Sequence, residues 1–175
     1  VRQAVAGVVQ AHGRIDVLVN NAGGQFASRI EDMSLKGWEA VIESNLTGGF
    51  LVSRECYVQS MREHGGAIVN ITADIWGSWP NMAHSMAARA GMTGFGETAA
   101  YEWAPSGVRV NAVAPGYIAS GGIDRYPPER REFLRGLYRN VPLHRVGTES
   151  EVSAAIVFLL SDAAAFITGT TLRVD

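Results

Sequence analysis

Four short runs of apolar, largely branched residues constrain this chain more than any other feature, because each is separated from the next by a helical stretch. The runs are Ile15-Asp16-Val17-Leu18-Val19, Ala67-Ile68-Val69-Asn70-Ile71, Val108-Arg109-Val110-Asn111-Ala112-Val113 and Thr170 to Val174. Runs this short and this apolar suit strands buried on both faces, the condition of a parallel sheet. Between them the spacing changes. Val1, Val5, Val8 and Val9 fall on one face of a helix over Val1 to His12, and Gly13 suits its C′ position. Ser34 is placed to cap a long helix that reaches His64, is expected to break near Gly48-Gly49, and ends at Gly65-Gly66. A third helix is expected from Asn81 to Trp103, stopped by Pro105-Ser106-Gly107. Pro127-Pro128 can open a short helix, and Thr148-x-x-Glu151 is a capping box ahead of the apolar helix through Leu160. Strands alternating with helices predict one α/β layer around a parallel sheet with helices on both faces, read as a single domain over residues 1–175.

Composition narrows the classes of partner. The 15 Lys and Arg against 17 Asp and Glu give a formal net charge of −2, which excludes a polybasic nucleic-acid or membrane footprint. With 47% hydrophobic and 18% charged residues the chain is not of disordered type. The apolar run Ala154 to Leu160 is far short of the roughly 20 residues a membrane span needs. Cys56 is the only cysteine, so no intrachain disulfide forms, which fits a reducing compartment and is read as the cytoplasm. The four His and Cys56 show no metal-ligand spacing, so no metal is expected.

Dinucleotide folds open with a strand, a Gly-x-Gly-x-x-Gly turn and a helix. Here Gly91-x-x-Gly94-x-Gly96 has the residue type but lies inside an expected helix, where close packing explains it. The run Ile15 to Val19 would also form an apolar sheet edge. Two further βα units, on the order of 60–80 residues, are therefore expected on the N-terminal side.

Five ordered blocks now give the chain a resemblance. Asn20-Asn21-Ala22-Gly23 follows the first strand, and Asn45-Leu46-Thr47-Gly48 lies in the next helix. Val69-Asn70-Ile71-Thr72 forms the second strand. Arg109 to Gly116 ends the third, and Phe166-Ile167-Thr168-Gly169 precedes the last. Together they resemble the short-chain dehydrogenase/reductase family, from its fourth strand to its last. The resemblance implies the C-terminal two-thirds of a Rossmann-like, doubly wound parallel sheet without the phosphate-binding first half. Asn21-Ala22-Gly23-Gly24-Gln25-Phe26, His84 to Gly91 and Glu102-Trp103-Ala104 look most like the enoyl- and dienoyl-CoA reductase branch, particularly its peroxisomal members.

The family's active helix carries Tyr-x-x-x-Lys, with a Ser upstream. Aligned on Arg89-Ala90-Gly91, the Tyr position holds Ser85 and the Lys position holds Arg89. The Ser position falls on Thr72 by spacing or on Ala73 by motif, and Asn45 matches the family's active-site Asn. The resemblance thus implies Asn45, Thr72, Ser85 and Arg89 as catalytic positions. It implies Asn21, Ala22, Gly23, Thr72, Arg89, Pro115, Gly116 and Ile118 as contacts of a nicotinamide cofactor, NADP by branch or else NAD.

The departures alter the chemistry. Lys beside Tyr lowers a phenol pKa from about 10 toward neutrality, whereas a Ser hydroxyl is a much weaker acid and Arg does not deprotonate. Reduction of a double bond conjugated with a thioester asks instead for donors to a developing enolate oxygen. Ser85 and His84 are candidate donors, with the α-carbon proton coming from water or Asp74. The expected activity is therefore reduction of an enoyl or dienoyl thioester. Two alternatives stay open: a carbonyl reductase or alcohol dehydrogenase with an altered relay, and a non-catalytic binding or structural subunit. Trp76, Trp79 and Met82 flank the site as candidates for an acyl pocket or, equally, for core or a subunit contact. The resemblance also implies a homodimer or homotetramer paired through helices 34–64 and 81–103, acting on an acyl thioester or carbonyl substrate.

Overall fold

The computed structural model describes residues 1–77, 79–121, 128, 131–132 and 136–175. The short helix expected after Pro127-Pro128 lies outside the described residues. Helix α1 (Arg2–His12) ends at Gly13, whose φ of 84° is one that a glycine adopts without strain. Strand β1 (Val17–Asn20) follows.

Residues 35–64 form one helical run rather than a broken helix. It comprises α2 (Leu35–Ile42), a π-turn (Glu43–Thr47), α3 (Gly48–Cys56), a second π-turn (Tyr57–Met61) and α4 (Arg62–His64). Ser34 caps it by accepting from Gly37 N–H at 3.1 Å. No break occurs at Gly48-Gly49, since Gly48 keeps helical angles. Gly49 instead gives room to a neighbouring helix: a Cβ there would come within 2.6 Å of Met92 Cε.

Strand β2 (Gly66–Ile71) leads to α5 (Ala83–Trp103), which Pro105 and Gly107 end as a 3₁₀ turn and a left-handed residue. Strand β3 (Val108–Pro115) follows, and the two-residue strands β4 (Ile118–Ala119) and β5 (Gly147–Thr148) pair with each other. Thr148 and Glu151 form the expected capping box of α6 (Glu149–Leu160), and β6 (Thr171–Val174) closes the fold.

The main sheet runs β1-β2-β3-β6, all parallel. Its alternation divides the core. Ile68, Val108 and Val110 pack with Val5, Cys56, Met61, Ala99 and Ala100 on one face. Val69 and Val113 pack with Leu159 and Ala164 on the other. Burial pushes the Cys56 thiol pKa up, as expected of a core cysteine. Strand β1 is an edge, and Val17 and Val19 on its second face are 48% and 39% exposed. The expected doubly wound α/β architecture is the observed one. Asn111 joins the last crossover to the sheet, donating to Ile167 C=O at 2.9 Å and accepting from Thr170 N–H at 3.2 Å.

Candidate active site

Parallel strands end together, so the segments that leave β1, β2, β3 and β6 share one rim, the place where open α/β sheets hold ligands. The segment after β1 is laced across helices on its way to α2. Asn45 sits in the first π-turn and is buried. A π-turn adds a residue to the helical turn and redirects side chains, and such turns occur often at functional sites. Here it aims the Asn45 amide at one residue of the β1 loop: Oδ1 accepts from Gly24 N–H at 2.8 Å and Nδ2 donates to Gly24 C=O at 2.9 Å. A buried amide satisfied at both ends locks that loop.

Arg89 reaches the same loop from α5. Its Nη1 donates to Ile71 C=O at 2.5 Å, at the end of β2. Its Nη2 lies 3.1 Å from where a Cβ on Gly23 would stand, and Asn45 Oδ1 lies closer still to that position. Gly23 thus fills a slot between Asn45 and Arg89 that admits no side chain. Burial lowers the Arg89 pKa from its ordinary value, and its buried Nε has no partner among the described residues.

One turn before Arg89, Ser85 is 3% exposed, and its hydroxyl donates to Gln25 Oε1 at 2.6 Å. Gln25 itself is exposed. The adjacent His84 is fully buried; its Nδ1 accepts from Ser85 N–H at 2.7 Å, its ring meets Phe26 edge-on at 4.6 Å, and its Nε2 is unpartnered among the described residues. Three consecutive residues, Gly24, Gln25 and Phe26, therefore meet Asn45, Ser85 and His84 in turn, with Gly23 beside Arg89.

The other expected positions sort into two groups. Asn21 and Ala22 are exposed in the β1 loop beside Gly23. Thr72 is buried just past β2, where both its N–H and its hydroxyl donate to Val113 C=O, at 2.8 and 3.3 Å. Its side chain is thereby committed to holding β2 against β3. Pro115 ends β3, Gly116 follows it and Ile118 opens β4. Gly116 N–H donates to Val174 C=O at 2.9 Å, and Ile118 Cδ1 lies 2.7 Å from a Cβ position on Gly147. Asp74 accepts from Trp76 N–H at 3.2 Å and faces Arg173 at 3.5 Å. Met82 is buried core, whereas Trp76 is exposed and Trp79 half-exposed. No cluster of His, Cys, Asp or Glu able to hold a metal occurs among the described residues.

A family model described as Enoyl-(Acyl carrier protein) reductase matches residues 1–175. The chain belongs to the short-chain dehydrogenase/reductase family. Members of that family are NAD(P)-dependent oxidoreductases of small molecules, and this chain is an oxidoreductase of that type. It is 38% identical to the 3-oxoacyl-(acyl-carrier-protein) reductase FabG of Thermotoga maritima, over 100% of this chain and 70% of that protein. It is 39% identical to a probable 2,4-dienoyl-CoA reductase of Bacillus subtilis, over 95% of this chain and 67% of that protein. The solved citronellol catabolism dehydrogenase of Pseudomonas aeruginosa PAO1 shares 52% identity with a TM-score of 0.85, covering 99% of this chain and 66% of that one. The chain thus spans about two-thirds of the length of the proteins it matches.

Gln25 is the site residue that sequence reasoning passed over. It stood inside the block that carried the resemblance, but nothing local announces that its amide meets a hydroxyl 60 positions away.

Proposed function

We propose that this chain carries the substrate side of an NADP-dependent reductase acting on a carbon–carbon double bond conjugated with a thioester. The observation that carries this reading is the bonding of Ser85. A weak hydroxyl acid stands four residues before Arg89, its hydrogen is given to the Gln25 amide, and the guanidinium turns instead to Ile71 C=O.

Ketone reduction needs a proton at an oxygen that becomes an alkoxide, which suits an acidified phenol. An aliphatic hydroxyl with no cation bonded to it does not supply that acid. An enoyl thioester makes a different demand. As a hydride adds at the β-carbon, the double-bond pair moves onto the thioester as an enolate, and its oxygen needs donors fixed in advance. The Gln25 NH₂ group provides them, with Ser85 polarising and orienting the amide through Oε1. A proton from solvent then adds at the α-carbon and completes the saturated acyl thioester.

A nicotinamide cofactor, when bound, supplies the hydride. The residues present suit its nicotinamide–ribose end: Arg89 has an unused buried donor, and the slot at Gly23 leaves backbone uncovered. In this reading Asn21, Ala22, Gly23 and Arg89 hold one side of that group, and Pro115, Gly116 and Ile118 the other. Thr72 contributes through its backbone position, and Asn45 acts by fixing the Gly24 backbone. NADP rather than NAD follows the enoyl-reductase branch.

The test is NADPH and NADH oxidation by the complete protein with crotonyl-CoA and acetoacetyl-CoA. Faster turnover of crotonyl-CoA, with NADPH preferred, is expected; efficient reduction of acetoacetyl-CoA with crotonyl-CoA untouched rejects the reading. The likeness to a 3-oxoacyl reductase supports that second activity, ketone reduction by an altered relay. The double substitution S85Y/R89K would then raise ketone turnover, and no gain counts against it. Turnover of either thioester removes the non-catalytic alternative.

We also infer a homodimer or homotetramer in a cytoplasmic setting. A groove of about 420 Å³ between α3 and α5, lined by Phe50, Tyr57, Val58, Phe95 and Trp103 with Arg54, Arg62 and Glu102 at its margins, supports pairing of these helices with a second copy. Light scattering that finds only monomer rejects it. No described helix is long and apolar enough to cross a membrane.

A further inference from the structure

Arg173 stands on the last strand, and no step of the proposed reaction uses it. Its side chain nevertheless reaches across the rim of the sheet. Nη2 lies 3.5 Å from Asp74 Oδ2, Nε donates to Asp175 Oδ2 at 3.1 Å, and Nη2 bonds that same Asp175 oxygen. The guanidinium carbon also sits 5.0 Å from the centroid of the Trp76 ring. Asp74 in turn accepts from Trp76 N–H. One cation therefore grips both ends of a single turn, the carboxylate that opens it and the indole that closes it.

The two sides of this contact differ in rigidity. Arg173 is in register with Ala114 of β3, inside the main sheet. Trp76 lies on the segment between β2 and the start of α5, the segment that delivers Ser85 to the site. It is 55% exposed, so a large apolar ring is held at the surface by a cation instead of being buried in the core. On the same segment Trp79 tilts against Tyr117 at 5.7 Å, a second aromatic anchored from the end of β3. Exposed ion pairs add little to global stability, so a clamp of this kind acts on the placement of one loop.

We propose that Arg173 is a positioning residue for substrate selection: it holds the Trp76 indole as a wall for an extended apolar acyl chain, and so sets chain-length preference while leaving the chemical step alone. The choice of probes rests on the reductase reading above, and the test separates the two. In the complete protein, Arg173→Ala should raise KM for trans-2-dodecenoyl-CoA about five-fold, the scale of an exposed cation–π contact. Its kcat, and both constants for crotonyl-CoA, should stay as in the parent. Trp76→Ala should act in the same direction, Arg173→Lys should recover part of the loss, and the double substitution should be no worse than Trp76→Ala alone. Independently of turnover, Arg173→Ala should increase acrylamide quenching of indole emission, and that increase should vanish in a Trp76→Phe background. Equal losses on both substrates, a loss confined to kcat, or unchanged quenching overturns the proposal. If the parent turns over neither thioester, the reductase reading fails, and quenching with dodecanoyl-CoA titration still decides the clamp: weaker binding by Arg173→Ala upholds it and equal binding refutes it.

Discussion

Ser85 gives its one hydroxyl hydrogen to Gln25, 2.6 Å away, and is itself almost wholly buried, so the exposed member of the pair is the amide. In the proposed reaction the Ser85 hydroxyl acts on its neighbour's amide. Gln25→Met, which keeps the length and removes the donors, is expected to lower kcat by about 10²–10³, the cost of losing an oxyanion donor. Ser85→Ala should cost less, and should add nothing in the Gln25→Met background, because residues acting as a unit are not additive. Steady-state kinetics of the three variants checks this. A Ser85→Ala loss as large as that of Gln25→Met, and additive with it, would return the donor role to the hydroxyl.

Gly23 is held between Asn45 and Arg89 with no room for a methyl group. Gly23→Ala should therefore displace both side chains and weaken cofactor binding more than it weakens the fold, as read by titration against thermal melting. Asn45→Ala should weaken both, since it removes the two hydrogen bonds to Gly24, each worth about 0.5–1.5 kcal/mol.

Two glycines of α5 should respond with opposite signs. A Cβ at Gly91 would come within 2.9 Å of Leu46 Cδ2, whereas at Gly94 nothing lies within 4 Å. Gly91→Ala is expected to destabilise by about 1–2 kcal/mol through overpacking, and Gly94→Ala to stabilise by about 0.5–1 kcal/mol through helix propensity. Urea unfolding of both variants measures the contrast.

Glu55, buried on α3, is held by Arg54 and Gln59 and by Arg2 of α1, and its pKa falls from 4.5 to about 2. A lowered folded-state pKa contributes stability above pH 4.5 that is lost as pH falls through about 2. Glu151, lowered likewise to about 2 by Arg145 and Thr148, acts in the same window. Glu55→Gln should flatten the acid limb of the stability–pH curve between those limits, and an unchanged limb in thermal melts from pH 5 to pH 2 would contradict the assignment.

Sequence alone determined the order of strands and helices, the Ser34 and Thr148 caps, the stop at Gly107 and the all-parallel sheet. Each of these is local, or follows from short branched runs that need cover on both faces. The family likewise lay in contiguous blocks such as Asn20 to Gly23. What the tertiary structure decided is where side chains far apart in sequence spend their hydrogen bonds. Thr72 and Val113, Asn45 and Gly24, Ser85 and Gln25, and Arg173 with Asp74 and Trp76 are all such pairs. Hydrogen bonds are short-ranged and directional, so only the folded backbone sets which donor meets which acceptor. The long helix makes the same point. Gly48-Gly49 reads as a break when α3 is considered alone, but with Met92 packed against Gly49 it is the place where two helices come close.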